Sequence, residues 1–332
     1  MDRRIKKQHI VCIGGGTGTF VVISGLKNYP VHISALVSMS DSGGSNKRIR
    51  DEFGLLPTSD IRQCLIALSA EKGRTGLLRK LFMYRFAKGK GIKGMTFGNL
   101  FMAALSDIVG SQQEAIRQTG KVLRINGDVI PITLTKTNLI ATYENGKTVT
   151  GEHFIDEPTH DGTLRITNIQ LKPRAVANPE ALTEIAKADL IVFCPGDLYT
   201  SLIPNLLAEG VSDAIKKSNA KKVYVMNLMT KYGQTYNFTA LDHVRVLEKF
   251  IGETLSAVLV DTSVYPSSIL EKYKKMKEFP VVDDLAKKQY YRVVRKAIAS
   301  KMLFEKSAAD TLIRSLIRHD GDKLAKVLVT LL

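Results

Sequence analysis

HIVCIGGGTGT, residues 9–19, decides the fold because it joins a short, apolar, β-branched run to a glycine-rich turn. Beyond it, Val21, Val22 and Leu26 recur at roughly helical spacing, so the sequence predicts a strand, a tight turn and a helix. Glycines let a backbone approach an anion closely, and the free N–H groups and dipole at a helix start favour negative charge. We therefore expect a phosphate-bearing ligand at this turn, with the candidate binding residues Gly14, Gly15, Gly16, Thr17, Gly18 and Thr19.

This turn matches neither of the two common phosphate-binding motifs. A Walker A sequence needs a lysine after its last glycine, and a strict G-x-G-x-x-G motif has its third glycine where this chain has Thr19. A merely structural turn, with Gly16 serving close packing of helix on strand, is the alternative interpretation.

A second glycine-rich turn follows the next predicted strand, which extends roughly from Ile33 to Met39. Asp41 stands where an ordinary dinucleotide-binding fold places the carboxylate that accepts from a ribose hydroxyl. The small residues behind it predict another phosphate or sugar cradle, and arginines can grip phosphate through two N–H groups. A solvated charged loop is the alternative. The candidate residues of this turn are Asp41, Gly43, Gly44, Ser45, Arg48 and Arg50.

The composition indicates an ordinary globular protein. The chain has 332 residues, of which 44% are hydrophobic and 24% charged, enough for one large α/β domain or two smaller ones. There is no apolar run of about 18 residues, and the charged N-terminus is not followed by a signal-peptide core. We expect a cytoplasmic protein without a transmembrane segment.

The three cysteines, Cys12, Cys64 and Cys194, lie far apart inside apolar segments. We expect them to be small, buried, hydrophobic side chains rather than partners in disulfides. The six histidines show no metal-ligand spacing. The net charge of +16 is compatible with nucleic acid, an anionic membrane surface or an anionic small ligand. Because helix-turn-helix, zinc-finger and RNA-binding patterns are missing from the sequence, we do not expect a specific nucleic-acid partner.

The order of the predicted elements favours an α/β fold, with a Rossmann-like parallel sheet flanked by helices. Residues 1–127 and 178–332 form the predicted nucleotide-binding core, and residues 128–177 form a β-rich insertion within the same domain. The insertion is predicted from short alternating runs on either side of a turn at Asn145-Gly146. After it, strands at 190–194, 222–226 and 257–260 alternate with helices, which implies parallel pairing.

Ligands of open parallel sheets lie beyond the carboxyl ends of the strands. The loops after the strands at 190–194 and 222–226 therefore converge on the edge that carries both glycine-rich turns. Their candidate ligand-binding residues are Pro195, Gly196, Tyr199, Thr200, Asn227 and Thr230.

Taken together, several motifs make the chain similar to the YvcK-type gluconeogenesis factors within the CofD-like (2-phospho-L-lactate transferase-like) superfamily. The resemblance implies a cytoplasmic bacterial protein that binds a UDP-sugar such as UDP-N-acetylglucosamine and supports cell shape and envelope synthesis during gluconeogenic growth. It brings no established reaction. The matching stretches are 13–18, 40–65, 97–100, 195–205, 226–230 and 242–244.

The transferase branch of the same superfamily is the competing interpretation. It moves a phospholactyl group from a guanosine diphosphate-linked donor to a deazaflavin precursor with Mg²⁺, and Asp41 would then be the candidate metal ligand. Ser42 weighs against this reading, because relatives in both branches commonly carry a second aspartate there. The stretch 50–62, with Arg62 after Asp60, also follows the gluconeogenesis-factor pattern.

For a UDP-sugar, we expect the backbone N–H groups of residues 15–18 and 43–45 to hold the diphosphate, with Arg48 or Arg50 and the Gly196 loop completing the charge match. Asp41 and Asn227 would bind sugar hydroxyls. Tyr199 either stacks on the uracil or packs against Leu202.

Five further candidates have two interpretations each or a weak signal. Asp60 is predicted to cap the helix that it starts, with ligand binding as the alternative, and Arg62, two residues later, is expected to point toward the loop before that helix. Asn99 is either a helix cap or a contact to the base. Tyr273 and Arg318 resemble a family element associated with the ligand pocket. Cell-envelope synthesis proteins and a second copy of the chain remain candidate partners.

An NAD-dependent oxidoreductase is a further interpretation of the function, and only the partial glycine motif supports it.

Overall fold

The computed structural model describes residues 7–70, 73–286, 289–301 and 315–332. Within these ranges, short apolar runs form strands. They are β1 (His9–Gly14), β2 (His32–Val37), β3 (Asp128–Pro131), β4 (Asn138–Tyr143), β5 (Thr148–Thr150), β6 (Ile166–Lys172), β7 (Leu190–Phe193), β8 (Lys221–Val225), β9 (Ala257–Asp261) and β10 (Arg292–Lys296).

Helices occupy most of the segments between the strands. They are α1 (Gly16–Leu26), α2 (Gly44–Phe53), α3 (Ser59–Leu68), α4 (Gly73–Met83), α5 (Phe97–Val109), α6 (Gln112–Leu123), α7 (Glu152–Asp156), α8 (Pro179–Lys187), α9 (Ile203–Leu206), α10 (Val211–Lys217), α11 (Ala240–Ile251), α12 (Ser267–Lys275) and α13 (Gly321–Val329). A π-helical turn, Leu198–Leu202, precedes α9. In the described ranges, no helix combines the length and the apolar character needed to cross a bilayer.

Seven parallel strands form the main sheet in the order β10-β9-β8-β7-β1-β2-β3. The chain builds outward from β1 to β3 on one side and then returns to β7 on the other, so the direction of strand order reverses between β1 and β7. The predicted α/β fold with a Rossmann-like parallel sheet is thereby confirmed. Because the loops after β1 and β7 diverge to opposite faces, a crevice opens between them.

A small antiparallel sheet, in the order β5-β4-β6, lies within the segment predicted as an insertion. The Asn145-Gly146 turn joins β4 to β5, with Gly146 at a φ of +77°. The first strand of the segment, β3, instead pairs with β2 at the edge of the main sheet. The separate sheet therefore begins only at Asn138.

Alternation along β1 fills the core on both faces of the main sheet. Ile10 and Cys12 pack with apolar residues of α1, α3 and α13, whereas Val11 and Ile13 pack with α8, α10, α11 and the small sheet. This is the expected pattern for a parallel sheet covered on both sides, where side chains point alternately to each face. All three cysteines are buried and unpaired, as the sequence predicts.

The packing of α1 on α13 depends on two glycines. A Cβ built on Gly25 would overlap the backbone carbonyl of Gly321. Since that carbonyl belongs to the first turn of α13, it cannot rotate away as a side chain could. The absence of a side chain at position 25 therefore sets how closely the two helices approach.

We expect Gly25→Ala to lower the free energy of unfolding by about 1–3 kcal/mol, because overpacking against backbone outweighs the better helix propensity of alanine. Chemical denaturation measures the change. Ser24→Ala, in the same helix, is the matched control; the Ser24 hydroxyl oxygen is buried without a hydrogen-bond partner among the described residues, so its removal should not lower stability. Equal stability of the two variants would contradict this account of the α1–α13 contact.

Candidate functional site

A cavity of about 410 Å³ lies in the crevice where the strand order reverses. It is lined by the loops that follow β1, β2, β7 and β8, so the strand ends converge as expected. Seventeen of the predicted site residues meet there: Gly15, Gly16, Thr17, Gly18, Asp41, Gly43, Gly44, Ser45, Arg48, Asp60, Arg62, Pro195, Gly196, Asn227, Thr230, Tyr273 and Arg318.

The start of α1 forms one wall of the cavity. Gly15 is its N-cap, no side-chain oxygen caps the helix from that position, and no acidic residue lies in the first turn. Gly16 has a φ of +62°, where glycine is favoured, and a Cβ built on Gly18 would overlap the carbonyl of Pro195. The first N–H groups of the helix and the positive end of its dipole therefore face the cavity, a favourable environment for an anion.

The start of α2 forms a second wall of the same kind. Gly43 is the N-cap, and the first turn again lacks an acidic residue. The Asp41 carboxylate accepts from the Gly43 N–H at 2.8 Å and so shapes the turn before the helix. Two helix N-termini thus open into one cavity.

Asn46, which the sequence reasoning missed, connects α2 to α3. Its side-chain Nδ2 donates to Asp41 at 2.5 Å, while its Oδ1 accepts from the Thr58 N–H at 3.1 Å and from the Ser59 hydroxyl at 2.9 Å. Its side chain is buried. This amide therefore satisfies backbone at the start of α3 and holds Asp41 in place.

The prediction that Asp60 caps α3 is wrong, since Thr58 occupies the N-cap position and Asp60 lies in the first turn. The helix begins before Asp60, because the Thr58 carbonyl already accepts from the Arg62 N–H at 2.8 Å. Asn46 reaches across from α2 and accepts from the N–H groups of Thr58 and Ser59. Asp60 faces the α1 turn, where a Cβ on Gly15 would come within 2.5 Å of its carboxylate.

Asn99 lies behind the cavity wall and positions Arg62. Its Oδ1 accepts from Arg62 Nε at 3.0 Å, and its Nδ2 donates to the hydroxyls of Ser45 and Ser59, both at 3.1 Å. The cap of α5 is Thr96, whose hydroxyl accepts from the Asn99 N–H. Asn99 is therefore neither a cap nor part of the cavity lining.

The other predicted residues outside the lining have partners within the protein. Arg50 donates to Asn138 Oδ1 at 2.6 Å, on the side of the small sheet. Tyr199 packs edge-to-face on Phe238, and Thr200 shares a hydrogen bond with Gln234. Gly14 closes β1, and the Thr19 hydroxyl donates to the Gly15 carbonyl at 3.3 Å.

The loops after β7 and β8 are tied together beside the cavity. Asn227 Nδ2 donates to the Gly196 carbonyl at 2.6 Å, and its Oδ1 accepts from the Tyr224 hydroxyl at 3.0 Å. Thr230 exchanges backbone and side-chain hydrogen bonds with Phe279. Both residues therefore hold their loops as well as lining the cavity.

Tyr273 brings the C-terminal segment to the cavity. Its hydroxyl accepts from the backbone N–H groups of Leu316 and Ile317, at 2.9 and 3.1 Å. Arg318, the next residue, lines the cavity. A buried tyrosine on α12 thereby positions an arginine that lies 45 residues later in the sequence.

Several partly buried carboxyl groups line the cavity, among them those of Asp41, Glu152, Asp156 and Asp197. Burial raises the pKa of Asp41 against the lowering effect of its hydrogen bonds. Burial, and then the charges of Asp41 and Asp156, hold the pKa of Glu152 well above its usual range. Burial and the neighbouring Asp156 raise the pKa of Asp197 to about 7.

Lys231 partly compensates this negative charge. Its Nζ lies 3.8 Å from Asp156 and 3.4 Å from Glu278, and these carboxylates raise the lysine pKa against the effect of burial. The sequence carried little signal for this arrangement. Asp197 lies inside a loop already singled out, but Glu152 and Asp156 come from α7, and no spacing links them to Lys231.

Ser42 explains how α7 reaches the cavity. Its hydroxyl accepts from the His153 N–H at 3.1 Å, and its own N–H donates to Glu152 at 3.4 Å. Ser42 therefore holds a further carboxylate, that of Glu152, in place.

Comparison with known proteins finds relatives along almost the whole chain. The family described as 2-phospho-L-lactate transferase CofD matches residues 10–300. A protein of Aquifex aeolicus is 40% identical and the Gluconeogenesis factor of Bacillus subtilis 38%, covering 99% and 98% of this chain and 98% and 99% of their own lengths. A crystal structure of a Bacillus halodurans protein superimposes with a TM-score of 0.88 at 35% identity, covering 98% of this chain and 100% of its own. These matches confirm the resemblance inferred from the motifs.

We expect Asp197→Asn to stabilise the protein more at about pH 8 than at about pH 5. A carboxyl whose pKa is raised on folding binds its proton more tightly in the native state, so stability falls as the pH rises from the unfolded pKa, near 4, to the folded value of about 7. Asparagine resembles the protonated acid and avoids this loss. Thermal unfolding should show a gain of about 2 °C or more at the higher pH.

Asp107→Asn is the matched control, because Asp107 is exposed. The thermal unfolding midpoint of Asp107→Asn should equal that of the unmodified protein at both pH values. A gain for Asp197→Asn that is equal at the two pH values would contradict the raised pKa.

Proposed function

The chain belongs to the 2-phospho-L-lactate transferase CofD family, and on that premise we propose that it binds a nucleotide diphosphate-linked sugar, of the UDP-N-acetylglucosamine class, as a cytoplasmic regulatory protein. The observation that carries the proposal is the convergence of two helix N-termini on one cavity of about 410 Å³. Its volume lies within the range of small-molecule sites.

Two adjacent helix starts suit a diphosphate better than a single phosphate. Each start offers unpaired N–H groups and the positive end of a dipole. A diphosphate spans two such positions, so the α1 turn would hold one phosphate and the α2 turn the other. Glycines at both turns keep the backbone free of side chains that would block this approach.

Cationic side chains complete the charge match. Arg48, Arg62 and Arg318 line the cavity from three different segments of the chain. Asn99 holds Arg62, and Tyr273 holds the backbone beside Arg318. Arginines positioned in this way can bind phosphate oxygens through paired N–H groups at little further cost in side-chain entropy.

The acidic side of the cavity suits sugar hydroxyls. Asp41, Asp60 and Glu152 present carboxyl oxygens a short distance from the helix starts, and carboxyl oxygens accept from hydroxyl groups. A ligand with phosphates at one end and several hydroxyls at the other matches this division of charge.

The regulatory role rests on relatives. The Bacillus subtilis protein bears the name Gluconeogenesis factor, which supports a role in carbon metabolism for this chain. We infer that occupancy of the cavity reports the supply of a nucleotide sugar and acts on cell-envelope synthesis proteins, with cell shape as the visible outcome.

A second candidate function is Mg²⁺-dependent transfer of a phosphorus-containing group from a nucleotide diphosphate-linked donor. It is favoured by the clustered carboxyl groups, since burial, and then the charges of Asp41 and Asp156, raise the pKa of Glu152. Asp41 and Glu152 fit Mg²⁺, which takes oxygen ligands and commonly completes its shell with substrate phosphates and water. When bound, the ion would neutralise charge on the donor phosphates.

We expect isothermal titration with UDP-N-acetylglucosamine to show saturable binding, with NAD and GDP plus Mg²⁺ failing to compete. Chromatography of the mixture should recover the sugar nucleotide intact, because a regulatory protein binds its ligand without converting it. Failure of UDP-N-acetylglucosamine to bind would overturn the proposal. Tighter binding of GDP with Mg²⁺, or cleavage of the sugar nucleotide, would favour the transferase, and Asp41→Asn should then abolish the Mg²⁺ effect.

We expect Gly16→Leu to weaken UDP-N-acetylglucosamine binding by about 100-fold or more, because the side chain would occupy the phosphate position in the α1 turn. A positive φ also costs about 1–2 kcal/mol of stability for a side-chain-bearing residue. Gly110→Leu controls for that cost, since Gly110 has a φ of +68° and no neighbour within 4 Å of a built Cβ. The control should lose similar stability and bind normally. Unchanged affinity in Gly16→Leu would remove the diphosphate from this turn.

A further inference from the structure

A cluster of metal-ligating side chains lies at the amino edge of the main sheet, opposite the cavity. His9 is the first residue of β1, His32 the first of β2, and Glu184 belongs to α8. One ligand atom from each lies within 4.8 Å of the others. The sequence shows no such site because 23 residues separate the histidines and the carboxylate comes much later; only the parallel register of β1 and β2, which pairs His9 with His32, brings the rings together.

The spacing of one pair of ligand atoms fits a tetrahedral ion. His9 Nε2 lies 3.2 Å from Glu184 Oε2. Bond lengths of about 2.0–2.2 Å to nitrogen and oxygen at tetrahedral angles place two ligands about 3.3–3.5 Å apart. The two atoms therefore already stand at nearly the separation that a shared zinc ion would impose.

Hydrogen bonds to neighbouring side chains orient the three ligands. His32 Nε2 lies 2.9 Å from Asp128 Oδ2, which leaves Nδ1 of that ring for a metal. The Ser34 hydroxyl lies 2.9 Å from His9 Nε2 and donates to Glu184 at 2.8 Å. A carboxylate such as Asp128, hydrogen-bonded to a ligating histidine, fixes the orientation of the ring and makes its metal-binding nitrogen more basic.

Because the Ser34 hydroxyl donates its proton to Glu184, its oxygen accepts from His9 Nε2–H. A metal ion at His9 Nε2 would therefore displace that proton, and the imidazole would carry its hydrogen on Nδ1.

We propose that His9, His32 and Glu184 bind a divalent transition-metal ion of the zinc class. Two imidazoles and one carboxylate form a donor set that zinc accepts, and a fourth position stays open to water. The ion would join the starts of β1 and β2 to α8, and Asp128 would extend the connection to β3. The site is independent of the proposed nucleotide-sugar binding.

An open groove gives the ion a route to the cluster. It has a volume of about 680 Å³ and runs between α6 and α8, and its lining includes Asp128 and Glu184. The side chain of His32 is 42% exposed, whereas that of His9 is 8% exposed. Metal can therefore enter from the His32 side.

The test uses the full chain without a histidine tag, stripped with EDTA, desalted and titrated near neutral pH. Calorimetry with Zn²⁺ should show one ion per chain, and Co²⁺ should give the visible absorption of a tetrahedral site. We expect His32→Ala and Glu184→Gln to weaken Zn²⁺ binding by about 100-fold or more, and Asp128→Asn by about 10-fold. His32 is the informative ligand to replace, since 42% of its side chain is exposed and its removal should disturb the fold little.

His153→Ala is the matched control, because His153 lines the nucleotide cavity. It should bind Zn²⁺ with unchanged affinity. The proposal is overturned if the stripped protein binds no Zn²⁺, in which case the cluster holds only a proton. It is also overturned if His153→Ala loses binding while His32→Ala keeps it, because the ion would then belong to the nucleotide cavity.

Discussion

The close approach of Gly18 to the carbonyl of Pro195 is the constraint on which the site depends. β1 and β7 are neighbours in the sheet and end at the same level, so the helix that leaves β1 must pass against the loop that leaves β7. A Cβ at position 18 would overlap that carbonyl. Glycine lets α1 start directly beside the loop, and the helix dipole then points into the crevice. A bulkier residue would push α1 away and separate the two walls of the cavity.

Buried polar side chains hold the other walls in place. Asn46 satisfies the start of α3 and binds Asp41, while Asn99 connects Arg62 with Ser45 and Ser59. Because unpaired polar groups are costly to bury, each of these amides is useful only when all its partners are present. The carboxyl groups of Glu152, Asp156 and Asp197 are less well compensated, and their raised pKa values record that cost. Such uncompensated burial is common where a protein binds charged ligands.

The parts of the site that follow strands were predictable from sequence, because a parallel sheet brings all carboxyl ends to one edge. This applies to the turns at 14–19 and 41–45 and to the loops at 195–201 and 227–230. The cap assigned to Asp60 was wrong for a physical reason, since the Thr58 carbonyl already accepts from the Arg62 N–H and α3 therefore begins before Asp60. Similarly, Tyr199 has a buried aromatic partner, Phe238, that is 39 residues distant in sequence.

By itself, the sequence determined the α/β class, the glycine-rich turns and the family, because these follow from local periodicity and short motifs. Only the tertiary structure decided which charges meet. Glu152 and Asp156 reach the cavity because α7 packs beside the β2 turn through Ser42, and Lys231 meets Asp156 from the loop after β8. At the opposite edge, strand register alone brings His9 beside His32. Contacts between distant segments depend on how whole elements pack, and no local pattern encodes that geometry.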